Sequence, residues 1–393
     1  MKILFATESY YPNISGVAVF AHNLARKMVA SGHEVFVIAP SPKMIAYEEK
    51  VDGIKIFRLA SKTNPFRKGY YVSRWPFKKV GQIIQEVKPD VIHLQDPALI
   101  SLASLRKARK MKIPVVVTNH FSLEYTISYL PALKIIHPLF LKALRTYLGW
   151  FYNRADLLTC PTKTVADNFL KAHLRTKVEV ISNGVDLSRF MPFYGDTLDV
   201  RRKFKIPFKV PLVLFVGRLD VDKDLKTLVE AIPEVLKENE THFVLVGEGK
   251  VKNILEKMVK DFQISNKVTF IAFIPHDNEI LPRIYQMAEV FINPCPSETQ
   301  SIVVLEAQAT GLPVVLANAG ALPELVKEGV NGFLFEPGNE IDLASKINQI
   351  LKNKEKARKM GENSLERLEA HLVDTTHDRF EKIYLKLVRL KAK

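Results

Sequence analysis

Cysteine is almost missing: Cys160 and Cys295 are the only two in 393 residues, which excludes a disulfide framework and any thiolate metal spacing. Long hydrophobic runs are missing too. No stretch reaches the ~18 uninterrupted apolar residues that a membrane-spanning helix needs. The longest candidate, residues 133–152, is broken by Lys134, His137, Pro138, Lys142 and Arg145. At the start, Met1 and Lys2 precede only ILFA before Thr7 and Glu8, too short for a signal-peptide core, so a cytoplasmic protein is expected. Neither G-x-G-x-x-G nor G-x-x-x-x-G-K-[ST] occurs, which excludes a dinucleotide fingerprint and a P-loop.

Acidic residues are scarce in one half. The chain has 57 Lys and Arg against 42 Asp and Glu, a net charge of +15. Residues 1–190 hold 28 basic and 13 acidic residues, and residues 191–393 hold 29 of each, so the whole excess lies in the first half. Between 55 and 112 the ratio steepens to 14 against 3. Such asymmetry suggests that this half faces a polyanion (phospholipid, nucleic acid or a large anionic substrate) unless it only serves solubility. Hydrophobic content of 47% with 25% charged residues is that of a globular protein. The length suits two domains, each with its own core.

The pattern along the chain fits this. MKILFATES reads as a buried strand, and the following segment as a helix ending at Gly32. Strand EVFVIAP leads into an irregular basic stretch. Then come helix PFKKVGQIIQEVK, strand DVIHL, a helix over 98–111, strand PVVVTNH, a long helix near 138–153, strand LLTCP, a helix over 162–173 and strand VEVISNG. A polar, proline-bearing stretch at 188–210 reads as the connection between domains. The rhythm restarts with PLVLFVGRL, a helix over 223–238, THFVLVGEG, a helix over 250–262, KVTFIAF, EILPRIYQMA, VFINP and LPVVLAN. Val/Ile/Leu strands alternating with helices mean parallel sheets covered on both faces. The expected fold is α/β, with two Rossmann-like, doubly wound parallel-sheet domains facing each other across a cleft. The boundaries fall at 1–190 and 191–372, with a final segment at 373–393.

Ligands of such sheets bind beyond the carboxyl ends of the strands, so the candidates are the residues just after strands. Gly16 opens the first helix, where a glycine lets backbone approach a ligand and the helix start favours negative charge; a plain turn is the simpler reading. His120 ends strand PVVVTNH, with Glu124 four residues on, and a satisfied structural histidine is the simpler reading there. Arg218 and Lys223 leave strand PLVLFVGRL as two fixed cations suited to a diphosphate, although Asp220, Asp222 and Asp224 are close enough in sequence to pair with both. Gly247 and Gly249 end the next strand. In PSETQSIVVLEAQATGLPVV, a helix is expected from near Gln300 with Thr299 as its N-cap, stopped by Gly311 and Pro313. Glu298 then lies in the loop before the helix and Glu306 about two turns inside it. Carboxylates accept hydrogen bonds from sugar hydroxyls, and free amides at the helix start suit phosphate oxygens. A nucleotide sugar has hydroxyls at both ends and a diphosphate between.

Taken together, these elements resemble the family 4 retaining glycosyltransferases, which have the two-Rossmann-domain GT-B fold. The two glutamates stand in ETQSIVVLE followed by AQATGLPVV. GRLDVDK fits G-R-L-x-x-x-K, and P-x-x-S-G, GHEV, TNH, ISNGVDLSRF and ELVKEGVNGFLFEPGN fall in register from Met1 to Asn339. The resemblance implies that Glu306 binds the nucleotide ribose and Glu298 the transferred hexose. Arg218 and Lys223 neutralise the diphosphate, with amides at Ser301 and Ile302. Gly16, Gly247, Ile274 and Val303 lie along the donor, and His120 contacts the sugar near its reacting face. The family is generally metal-independent, and its final helix commonly crosses back to the first domain. Thr299-Gln300-Ser301 stands where many members have Gly-Phe-Gly, Asp224 where glycine is usual, and Ala319-Gly320 for Gly-Gly. E-T-Q followed by a small residue resembles the branch that glycosylates diacylglycerol and related lipids, which usually keeps glycine at the Ser301 position.

The expected enzyme is therefore a retaining hexosyltransferase. It would use a nucleoside diphosphate sugar such as a UDP-hexose as substrate, no cofactor and no metal, and a membrane lipid as acceptor. Its basic first half would rest on anionic headgroups at the cytosolic membrane face. PFRKGYYVSRWPFKKV at 65–80, with Trp75 among cations, suits an interface, or else a packed loop and helix start. Segment 138–152 would line an acyl groove if it is not a core helix. Glu124 is an acceptor-side candidate. The same chemistry on a soluble, polysaccharide or lipid-linked oligosaccharide acceptor is the second reading. Nucleic-acid binding is the remote one, with no recognised motif behind it.

Overall fold

The computed structural model describes residues 1–12, 15–64, 70–121, 137–170, 174–193 and 195–392, which fall into two compact units. One unit holds the described residues up to Asn183 together with those from Asp374 onward; the other runs from Gly184 to Val373.

In the N-terminal unit the strands are β1 (Lys2–Ala6), β2 (Glu34–Pro40), β3 (Tyr47–Val51), β4 (Ile54–Leu59), β5 (Ser61–Thr63), β6 (Tyr71–Ser73), β7 (Val91–Leu94), β8 (Val115–Thr118), β9 (Leu157–Cys160) and β10 (Val178–Val180). Among the described residues the main sheet runs β10-β9-β8-β7-β1-β2-β4-β3, parallel except where β3 returns against β4. Helices α1 (Gly16–Ala30), α2 (Phe77–Val87), α3 (Leu99–Met111), α4 (His137–Tyr152) and α5 (Lys163–Leu170) lie between the strands in sequence. Period-two alternation puts Leu4 and Ala6 into one core with α2, α3 and α4, and Ile3 and Phe5 into the other with α1. Both faces are covered, which is why these strands read as unbroken apolar runs.

The stretch read as irregular contains β3 to β6. YEEKV alternates half-exposed and exposed positions and IKIFRL carries two charges, so neither shows the apolar run that marked the other strands. The turn joining them is Asp52-Gly53, with φ of 51° and 80°, the pairing a two-residue hairpin demands. That signal was present in the sequence and was missed.

The second unit holds β11 (Leu212–Val216), β12 (His242–Val246), β13 (Val268–Ile271), β14 (Val290–Asn293), β15 (Val314–Ala317) and β16 (Gly332–Phe335), in the order β13-β12-β11-β14-β15-β16. Its helices include α6 (Leu198–Lys203), α7 (Leu225–Leu236), α8 (Lys252–Asp261), α9 (Ile280–Gln286), α10 (Ile302–Ala309), α11 (Glu340–Leu351) and α12 (Lys354–Glu366). Residues 188–210 are more than a connection. Arg201 of α6 is buried and donates to the carbonyls of Pro207 and Val210 at 2.7 and 2.9 Å and of Met287 at 3.1 Å, which fastens the stretch into this unit.

The last helix, α13 (Val373–Ala392), packs with the N-terminal unit. Phe380 and Tyr384 are fully buried beside Ile3 and Phe5. Tyr384 Oη lies 2.6 Å from Nδ1 of His93, whose Nε2 is 2.7 Å from Thr118 Oγ1.

Candidate active site

The carboxylate pair Glu298 and Glu306 lies around α10. The helix starts at Ile302 with Ser301 as its N-cap, two residues later than the expected Thr299. Glu306 accordingly lies little more than one turn inside it rather than two. The Ser301 hydroxyl does not cap the helix; it is taken by Asn293 Nδ2 at 2.9 Å. The first-turn amides of Ile302 and Val303 thus have neither an intrahelical acceptor nor the cap side chain, an arrangement suited to an anion. Gly311, at φ 76°, ends the helix as expected.

Lys223 and Glu298 are brought together. Lys223 Nζ is 2.6 Å from Glu298 Oε1, 3.6 Å from Cys295 Sγ and 3.9 Å from Asp222 Oδ2. Burial opposes the lysine's charge, but Cys295, Glu298 and Asp222 outweigh it and hold the ammonium above the usual lysine range. Arg218 joins through Asp222, donating to its Oδ2 at 2.8 Å and also pairing with Asp220. For Arg218 the aspartate pairing foreseen from the sequence is therefore present. The side chain keeps 20% exposure beside these partners.

Two departures from the family's glycines, and one glycine that is kept, have a geometric account. Ser301 has φ −103°, which any residue adopts. Asp224 sits left-handed at φ 48° and accepts from Thr227 Oγ1 at 2.9 Å, a conformation aspartate tolerates. Gly320, at φ 56°, is the glycine that cannot be replaced easily: a Cβ there would lie 2.8 Å from the Glu298 carbonyl oxygen. It lets the chain pass directly over the Glu298 loop.

Glu306 belongs to a separate knot. Its carboxylate is 2% exposed; Oε1 lies 2.9 Å from His276 Nε2 and Oε2 accepts from Tyr285 Oη at 2.6 Å. Arg189 Nη1 faces His276 Nδ1 at 3.4 Å, so Nδ1 accepts and Nε2 donates to Glu306. Phe190 packs on both rings, each at 5.7 Å. Sequence reading missed His276, Tyr285 and Asn293. The available signals were Arg189-Phe190 in the quoted ISNGVDLSRF, and an asparagine ending an otherwise apolar strand.

Gly247 has a structural duty: at φ 146°, its Cβ would fall 1.9 Å from the Gly217 carbonyl oxygen, where the ends of β11 and β12 touch. Ile274 follows β13, half-buried against the core and two residues before His276.

In the N-terminal unit, Gly16 is the first residue of α1, after Ser15, whose hydroxyl accepts from the Ala18 amide at 3.1 Å. His120 follows β8 with Nε2 3.1 Å from Gln95 Oε1 and its ring 4.9 Å from Phe20 of α1. Burial pushes His120 down to about 3, so it works as a neutral imidazole. Close by, Glu8 and Asp96 form a half-buried acid pair. Glu8 accepts from Ser73 N and Oγ at 3.0 and 2.5 Å and from the Ile100 amide at 3.1 Å, and Asp96 from Thr7 Oγ1 at 2.9 Å. Glu124 lies outside the described residues.

Both halves of the chain match known protein families. Residues 14–189 match the family described as Glycosyltransferase Family 4, and residues 196–367 the one described as Glycosyl transferases group 1. The chain is 27% identical over 360 residues to an alpha-monoglucosyldiacylglycerol synthase of Streptococcus pneumoniae, covering 89% of this chain and 78% of that protein. It is 28% identical to the enzyme of the same name from Acholeplasma laidlawii, covering 87% and 86%. Among solved structures, a sucrose-phosphate synthase from Thermosynechococcus elongatus superposes with a TM-score of 0.82 at 20% identity, over 99% of this chain and 100% of that one. The chain belongs to the family 4 glycosyltransferases and has their GT-B fold.

Proposed function

We propose that this glycosyltransferase moves a hexose, with retention, from a nucleoside diphosphate sugar such as a UDP-hexose to a membrane lipid such as diacylglycerol. The observation that carries the donor assignment is the continuous chain Arg218–Asp222–Lys223–Glu298–Asn293–Ser301, which ends at the uncapped start of α10. Arg218 and Lys223 take the diphosphate, with the amides of Ser301, Ile302 and Val303. Glu298 takes the hexose hydroxyls and Glu306 the ribose. Gly16, Gly247 and Ile274 lie along the donor, and His120 contacts the hexose.

In this reading the bond between the anomeric carbon and the β-phosphate oxygen breaks as the acceptor oxygen bonds to the same face of that carbon. The acceptor's proton passes to the departing phosphate, so no enzyme nucleophile and no metal are needed. Charge on the leaving group falls to the two cations, typically the largest catalytic contribution. The lipid acceptor is supported by the two relatives named as diacylglycerol glucosylating enzymes. Trp75, 79% exposed in a basic segment, supports peripheral contact with anionic headgroups at the cytosolic face. No helix among the described residues is long and apolar enough to cross a membrane.

The test is release of nucleoside diphosphate from a panel of nucleotide sugars, with chelator present, with and without added lipid. Lipid-stimulated release and an unchanged anomeric configuration in the product are expected. Release stimulated only by small sugars or glycans would move the acceptor assignment to the second reading.

A further inference from the structure

Trp75 is not alone on its surface. Met44 and Ile45, in the loop after β2, are 47% and 66% exposed, and one buried serine ties them to it. Ser61 donates its amide to the Met44 carbonyl at 3.2 Å and its hydroxyl to the Ser41 carbonyl at 2.6 Å. Its own carbonyl accepts Arg74 Nε at 3.1 Å, and across the β5–β6 hairpin it pairs with Ser73. Ser73 is in turn held by Glu8. Residues 41–46 and 71–79 are thus fixed side by side, although far apart in sequence.

Two features separate this surface from incidental exposure. Met44 and Trp75 both have positive φ, 64° and 23°, a conformation that is costly for bulky residues and usually retained for a purpose. Around the three apolar side chains stand Lys43, Lys62, Arg74, Lys78 and Lys79, all exposed, and the segments 41–46, 60–64 and 70–79 contain no acidic residue. Apolar side chains that enter an interface, ringed by cations that remain at headgroup level, fit one partner best.

We infer that Met44, Ile45 and Trp75 with these cations form a single docking surface for an anionic phospholipid bilayer. This rests on the membrane-lipid reading above and adds the Met44–Ile45 loop to it. The same unit carries a second basic and apolar face, on α13, where Lys382, Leu385, Lys386, Arg389 and Leu390 line a cavity of about 360 Å³, and this serves as the control.

The experiment is co-sedimentation of the full chain with vesicles of mixed phosphatidylglycerol and phosphatidylcholine. Met44→Gly, which keeps the positive φ, combined with Ile45→Ser is expected to lower the partition coefficient about tenfold, with an unchanged thermal midpoint. Leu385→Ser with Leu390→Ser should bind like the wild type. Unchanged binding of the loop variant, or a loss confined to the α13 variant, overturns the inference while leaving membrane contact in place. If the wild type does not sediment with these vesicles, or is instead retained only by a DNA duplex, the membrane reading itself falls.

Discussion

The Tyr285 hydroxyl donates a hydrogen bond to one oxygen of Glu306 while His276 holds the other, so the direction of the carboxylate is set by protein groups that never need to touch the donor. Removing the buried hydroxyl in Tyr285→Phe costs a hydrogen bond to a charged group, about 1.5–3 kcal/mol. The donor KM should rise at least about tenfold with kcat nearly unchanged; an equal fall in kcat would show that Glu306 acts on the reacting centre instead. Lys223 sits differently, against Glu298 and between Arg218 and the helix start. Lys223→Ala should lower kcat about a hundredfold, more than it raises KM, in steady-state assays at saturating acceptor. His120 is held neutral by burial, so the pH–rate profile should lack a limb near 6.5 assignable to it, and His120→Asn should leave the profile's shape unchanged.

At the scale of elements, Gly320 and Glu8 show backbone and charge deciding local structure. Gly320→Ala puts a methyl into left-handed backbone against the Glu298 carbonyl and should cost about 1–2 kcal/mol for conformation alone, read as a lower urea midpoint. Asp224→Gly should be close to neutral, since aspartate already accepts that conformation. Burial, reinforced by Asp96, lifts the Glu8 carboxyl from 4.5 to about 7. The folded chain then binds the proton more tightly than the unfolded chain. This contribution to stability is full below pH 4.5 and is lost as pH rises through about 7. Glu8→Gln should flatten that decline in urea unfolding between pH 5 and pH 8; a parallel decline in wild type and variant would mean that the pair does not titrate there.

The same elements show what was readable in advance. Strands buried on both faces, such as β1 and β11, are continuous apolar runs, and helix stops such as Gly311 need a residue type the chain displays openly. The β3–β4 hairpin was hidden because YEEKV is a half-exposed edge strand with no apolar run. The start of α10 was displaced because Thr299 and Ser301 are equally good caps on paper, and only the Asn293 contact shows how Ser301 is used. Lys223 and Glu298 could be nominated from spacing. Their 2.6 Å contact, and the hold of His276 and Tyr285 on Glu306, depend on residues brought together from different loops.

At the scale of the molecule, the chain leaves its first unit near Asn183 and returns to it with α13, which His93 and Tyr384 lock into the core. The charge excess of residues 1–190 therefore belongs to a unit whose own last helix adds four further cations and no acid between Lys382 and Ala392. If that charge serves membrane contact, vesicle binding should weaken steeply as salt rises, because surface cations act over about 10 Å at 0.1 M ionic strength. The most direct measurement is release of UDP from a UDP-hexose in the presence of diacylglycerol vesicles, by the wild type and by Glu306→Ala. The expected result is release that requires the lipid, with the variant recovering only at much higher donor concentration. Release that ignores the lipid, or a variant indistinguishable from the wild type, would contradict it.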